Sequence, residues 1–178
     1  HYGPGQEALR LDDVALKISE FEDLRLSGDV LESEQALDEA LKLLPEGHPA
    51  ERRRLLLERA KLQIDTGKLA TAHSDLKSLV GELAADPAAD AALAREAQSA
   101  LAHARFYMTW LMRLEGRPRA EWEPEIEAAR QTYSRLSEET GNRGDPVVST
   151  AHRRDLEAAV KLARMDLGDL QGLPLPNQ

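Results

Sequence analysis

The sequence predicts an all-α fold, and three observations carry that prediction. Aromatic residues make up 4% of the 178 residues, β-branched residues are scarce, and Ala, Leu, Glu and Arg dominate. That mixture favours helices over strands. Apolar residues recur at helical spacing within a 42% hydrophobic chain, which provides enough burial to fold rather than stay disordered. Glycines at 28, 67 and 116 each stand between two such stretches, where one helix is expected to turn into an antiparallel neighbour. The length suits one compact domain or a short solenoid.

Residues 1–5 (HYGPG) read as a flexible lead-in, residues 6–168 as one helical domain, and residues 169–178 as a Pro/Gly-rich tail. The first helix is expected from about Gln6 to Leu26, with Val14, Ile18, Phe21 and Leu24 on one apolar stripe. After Gly28 the second runs to about Leu44, and PEGHP (45–49) forms a loop. A third, to about Thr66, aligns Leu56, Ala60 and Ile64; after Gly67 the fourth continues towards Pro87. The Ala-rich stretch from Ala88 to Glu115 has neither Gly nor Pro and reads as one long helix. RPRAEWE (117–123) reads as an insertion before the sixth helix, and TGNRGDP (140–146) as a loop. Asp145 is placed to cap a last helix that opens on Pro146 and reaches about Leu167. The Gly and Pro of GDLQGLPLPNQ speak against helix beyond that point.

The spacing after the glycines repeats. Gly28 is followed by Ser33, Leu37 and Ala40, and Gly67 by Ala72, Leu76 and Leu79, at offsets of five, four and three. Ala129, Tyr133 and Leu136 recover the small–large–apolar order in a third unit. GDVLESEQALDEALKLLP (28–45), closed by Pro45, resembles the second half of a tetratricopeptide repeat, a helix–turn–helix unit of about 34 residues. Gly28 and Gly67 stand 39 residues apart, and the PEGHP loop absorbs the excess. The resemblance covers residues 14–136 and implies antiparallel helix pairs stacked as a short right-handed α-solenoid, about three pairs plus a C-terminal capping helix. It also implies a protein-binding scaffold that holds a peptide or helix of a partner along its concave face, lined by the first helix of each pair. Arg59, Gln63, Arg105 and Thr109 are the expected groove residues on those helices. The Lys/Asn signature of the carboxylate-gripping subset is not evident, since Asn occurs only at 142 and 177.

Five of the seven aromatics lie between 106 and 133: Phe106, Tyr107, Trp110, Trp122 and Tyr133, with Met108 and Met112 among them. They suit either a soft apolar groove, in which Tyr107, Trp110 and Trp122 would meet a partner, or a third pair packed on larger side chains. Trp122, in the inserted segment, is expected to be the most exposed.

The remaining residues argue mainly by exclusion. A net charge of −9 and a pI of about 5.1 do not suit nucleic acid or anionic membranes. The one basic run, Arg52–Arg54, adjoins Glu51 and Glu58 and reads as a solvated helical face. Without cysteine there is no disulfide, thiolate nucleophile or Cys-based metal site. No two of His1, His48, His73, His103 and His152 are three or four apart, so no helix presents a metal-binding pair. Neither a phosphate loop, a nucleophile elbow nor a calcium loop is recognisable, so no enzyme activity, metal or cofactor is implied. Arg143-Gly144-Asp145 spells an adhesion-like tripeptide whose Gly and Asp are expected to turn the chain and cap the last helix. No apolar run is long enough to span a bilayer. A chain that opens on His1 without a leader reads as a fragment lacking its natural N-terminus. Homo-oligomerisation, or assembly within a larger and membrane-anchored or exported protein, is the alternative to partner binding.

Overall fold

The computed structural model describes residues 3–172, which form eight helices and, among the described residues, no strand. They are α1 (Pro4–Ser27), α2 (Val30–Leu43), α3 (Pro49–Asp65), α4 (Leu69–Ala85), α5 (Ala91–Leu114), α6 (Arg119–Asn142), α7 (Pro146–Arg164) and α8 (Leu167–Gln171). Neighbours in sequence pack as neighbours in space: α1 on α2, α2 on α3, α3 on α4, and α6 on α7. The chain divides into two compact units, residues 1–93 and 94–178.

The turns share one device. Gly28 and Gly67 adopt φ of +86° and +79°, a left-handed backbone that only glycine enters at little cost. In each case the next amide reaches back across the helix end: Asp29 N–H donates to Leu24 O at 3.0 Å and Lys68 N–H to Gln63 O at 2.9 Å. Arg117 N–H does the same to Met112 O, and Asp145 N–H to Thr140 O. Carbonyls that the helix leaves orphaned are thereby satisfied.

The repeated spacing is a burial pattern. Ser33, Leu37, Ala40, Ala72, Leu76, Leu79, Ala129, Tyr133 and Leu136 are all at most 3% exposed. In residues 1–93 the core joins Val14 and Phe21 of α1 to Ala36, Leu37 and Ala40 of α2 and to Leu55 and Leu62 of α3. In residues 94–178 it joins Ala102 of α5 to Trp122, Ile126, Ala129 and Tyr133 of α6, Ala159 and Leu162 of α7, and Leu170 of α8.

Four expectations are corrected. On α3 burial falls on Leu55, Leu57, Ala60, Leu62 and Gln63 rather than on a line of Leu56, Ala60 and Ile64, because α3 is packed on both sides, by α2 and α4. The segment 117–123 is largely the opening of α6, where Arg117–Glu121 and Arg119–Glu123 pair at i,i+4 ahead of Pro124. α6 runs on to Asn142, which shortens the expected loop. Beyond Met165, Asp166 accepts from the Asp169 amide at 2.8 Å and opens the short helix α8, whose Leu170 is fully buried. Residues 173–178 of the expected tail lie outside the described residues, as do His1 and Tyr2 of the lead-in; Pro4 and Gly5 already belong to α1.

Candidate functional site

Residues 1–93 contain a groove of about 490 Å³. One wall is a single stripe of α1, formed by Ile18, Phe21, Glu22 and Arg25, at the i, i+3, i+4, i+7 spacing of one helix face. The facing wall is one stripe of α3, with Ala50, Glu51, Arg54, Leu55 and Glu58. Leu37 of α2 and, at the far end, Asp90 and Leu93 complete the lining. The apolar residues form the floor: Phe21, Leu37, Leu55 and Leu93 are buried and Ile18 is half-buried. Charge forms the rim. Arg25 lies with its guanidinium 5.8 Å from the Phe21 ring centre, and Glu58 accepts from Lys61 at 3.2 Å. Asp90 accepts from the Ala92 amide at the entrance to α5.

The expected groove residues on α3 face elsewhere. Arg59 spans the neighbouring second helices, pairing with Asp38 of α2 at 3.0 Å and Asp75 of α4 at 3.8 Å. Gln63 is buried, and its Oε1 has no hydrogen-bond partner among the described residues. The groove face lies one position back, on Arg54 and Glu58. The basic run also divides. Arg53 is tied to Asp86 at 2.7 Å and to Glu82, Arg52 reaches Glu82, and Arg54 lines the groove. The Arg53 guanidinium holds the Asp86 carboxyl below the usual carboxylate range.

The expected residues in 94–178 are drawn into packing. Arg105 binds Glu125 at 3.0 Å. Thr109 is fully buried and donates its hydroxyl to the Arg105 carbonyl at 2.8 Å. Trp110 packs on the core of this unit beside Phe106, its ring 6.1 Å away, and Tyr107 meets Phe106 edge-on at 5.6 Å. Trp122, expected to be the most exposed of the set, is 7% exposed. The helical start of α6 turns it inward, where Arg113 covers its ring at 4.5 Å. Arg113 also donates to the carbonyls of Leu162 and Met165, closing the end of α7. Of this cluster, Trp122 and Tyr133 are buried, whereas Phe106, Tyr107 and Trp110 are half-buried.

A second set of polar residues joins α5, α6 and α7. His103 Nε2 and Asp155 Oδ2 are 3.2 Å apart, and the His103 ring lies 5.6 Å from that of Tyr133. Burial pushes the Tyr133 phenol well above its ordinary range and lowers the pKa of His152, whose Nδ1 is buried without a partner among the described residues. Among the described residues no group of three or more His, Asp or Glu converges as a metal site, and no helix is long and apolar enough to cross a membrane.

Comparison with protein-family models, with curated proteins and with solved structures gave no match.

Proposed function

We propose that this chain is a non-enzymatic protein-interaction module that holds a peptide or helix of a partner protein in the groove between α1 and α3. In this reading it is a divergent tetratricopeptide-type array: pairs α1/α2, α3/α4 and α5/α6 stack as a short right-handed solenoid, and α7 caps it. The observation that carries the reading is the groove itself, an apolar floor walled by one stripe from each of two successive first helices. The nine buried repeat positions and the glycine turns support the architecture. Recognition sites of this kind combine a concave apolar surface with a few polar groups at the edge.

The test is affinity capture from native lysate with wild-type chain and with Ala50→Trp. Ala50 is exposed on the groove wall, so an indole there fills the groove without removing a core contact. A partner retained by wild type and lost by the variant, with unchanged far-UV circular dichroism, supports the groove; equal capture by both excludes it. The assembly reading rests on a different observation. Leu9 and Leu16, one heptad apart on α1, are 65% and 68% exposed. Sedimentation velocity over a concentration series tests it, and a monomer at every concentration sets it aside.

A further inference from the structure

We propose that the groove takes a cationic segment, a short stretch of partner chain in which Lys or Arg flanks an aliphatic residue. The inference rests on the interaction reading above and names the chemistry of its partner. Four acidic side chains line the groove, Glu22, Glu51, Glu58 and Asp90, against two basic ones, Arg25 and Arg54. Of the four, Glu22 and Glu51 are exposed on opposite walls and make no ion pair among the described residues. The wider field has the same sign. Residues 1–93 carry 19 acidic and 11 basic side chains, and residues 94–178 carry 13 and 12, so nearly all of the net charge of −9 belongs to the unit that holds the groove. Such a field raises the local concentration of cations and speeds their encounter.

The floor sets the other half of the specificity. A carboxylate rim above Ile18, Phe21 and Leu55 matches a side chain that is apolar along its stem and charged at its tip, as Lys and Arg are. From Ile18 to Arg25 the α1 wall is about 10 Å long at the helical rise, room for about three residues of extended peptide. One aliphatic anchor on the floor and a basic residue on either side fill that length.

A random heptapeptide library displayed on phage, panned against the full chain, tests the proposal. The enriched peptides are expected to carry Lys or Arg around an aliphatic residue. A fluorescein-labelled member should bind Glu22→Lys/Glu51→Lys at least about tenfold more weakly than wild type, and Glu22→Gln/Glu51→Gln about threefold more weakly. Binding should also weaken as NaCl rises from about 50 to about 300 mM. Both variants replace exposed side chains, and circular dichroism confirms that they fold. Enriched peptides without basic residues that are still blocked by Ala50→Trp would overturn the cationic assignment and leave the groove standing. Peptides that bind Ala50→Trp as well as wild type, or a library that yields no enrichment, would overturn the groove and the cationic assignment together.

Discussion

Replacing Gly28, Gly67 and Gly81 by alanine, one at a time, separates backbone strain from packing within one compact unit. An ideal Cβ built on any of the three meets nothing within 4 Å, so no steric clash with a neighbour enters. What differs is the backbone. Gly28 and Gly67 sit at φ of +86° and +79°, whereas Gly81 lies inside α4. The left-handed conformation costs an alanine about 1–2 kcal/mol, and part of the ordering entropy that glycine loses on folding is recovered. Gly28→Ala and Gly67→Ala are therefore expected to destabilise by about 1 kcal/mol each. Gly81→Ala should stabilise by about 0.8 kcal/mol through helix propensity alone. Urea titration followed by circular dichroism at the helical band is the suitable assay, because both tryptophans lie in residues 94–178 and fluorescence would report the other unit. For a unit of this size 1 kcal/mol corresponds to about 4–8 °C in Tm. Equal signs at all three positions would refute the turn assignment, since the two backbone conformations predict opposite signs whatever the magnitudes.

Three further outcomes test the packing and the polar links. Leu37→Ala and Leu76→Ala, both at fully buried positions, should each cost about 2–5 kcal/mol in a urea titration, and the Asp versions should leave residues 1–93 unfolded; two silent substitutions would mean the repeat register is wrong. Glu34 is buried and held by two bonds from Lys68, at 2.8 and 2.9 Å. Lys68→Met should lose about 1–3 kcal/mol by leaving a buried acceptor unmet, and Glu34→Leu/Lys68→Met should recover most of it. His152 has its pKa lowered chiefly by burial, with Asp155 opposing and His103 adding to the shift. The unfolded chain then takes up a proton near pH 6.5 while the folded chain resists until a lower pH. Stability is therefore complete above the unfolded value and falls as pH drops towards the folded one; thermal melts from about pH 7.5 to 5.5 should show a shallower fall in His152→Gln, and parallel profiles would count against the burial argument.

Much of the architecture was legible because it depends on single residues with strong local rules. Gly28 and Gly67 mark turns, and the small–large–apolar spacing after each finds the buried face of α2, α4 and α6 without reference to the rest of the chain. Facing on α3 was not legible, and the reason is physical. Its apolar residues, among them Leu55, Leu56, Leu57, Ala60, Leu62 and Ile64, are spread around the helix because two neighbours cover it, so periodicity does not single out one face. The groove positions Arg54 and Glu58 then look like Arg59 and Gln63 from sequence. The one available signal was on α1, where Ile18, Phe21, Glu22 and Arg25 share a stripe, but there the apolar members had already been assigned to the core. Trp122 was misplaced because residues 117–123 read as an insertion in the repeat, whereas Pro118 stands just before the first helical turn of α6 and residues 119–123 open that helix. α8 was missed because its five residues contain a glycine; Asp166 at the cap and the burial of Leu170 outweigh that cost.

The charges of α3 divide between those that tie helices together and those left to the proposed groove. Arg53 is spent on Asp86 and Glu82, and Arg59 on Asp38 and Asp75. Lys68, just beyond α3, is spent on Glu34. Each of these pairs ties neighbouring helices, and none adds much stability where it is solvated; their effect is to fix which helix lies beside which. Glu51 on the same helix and Glu22 on the facing wall make no such pair among the described residues. Two carboxylates across an apolar floor, neither paired among the described residues, are a poor use of charge for folding, because like charges repel. They cost little in water, and they become useful once a cation lies between them. Residues 94–178, with acidic and basic side chains in near balance, lack that asymmetry. On the proposed reading, the acidic groove is the first place to test for a partner, ahead of the aromatic cluster that the sequence makes more conspicuous.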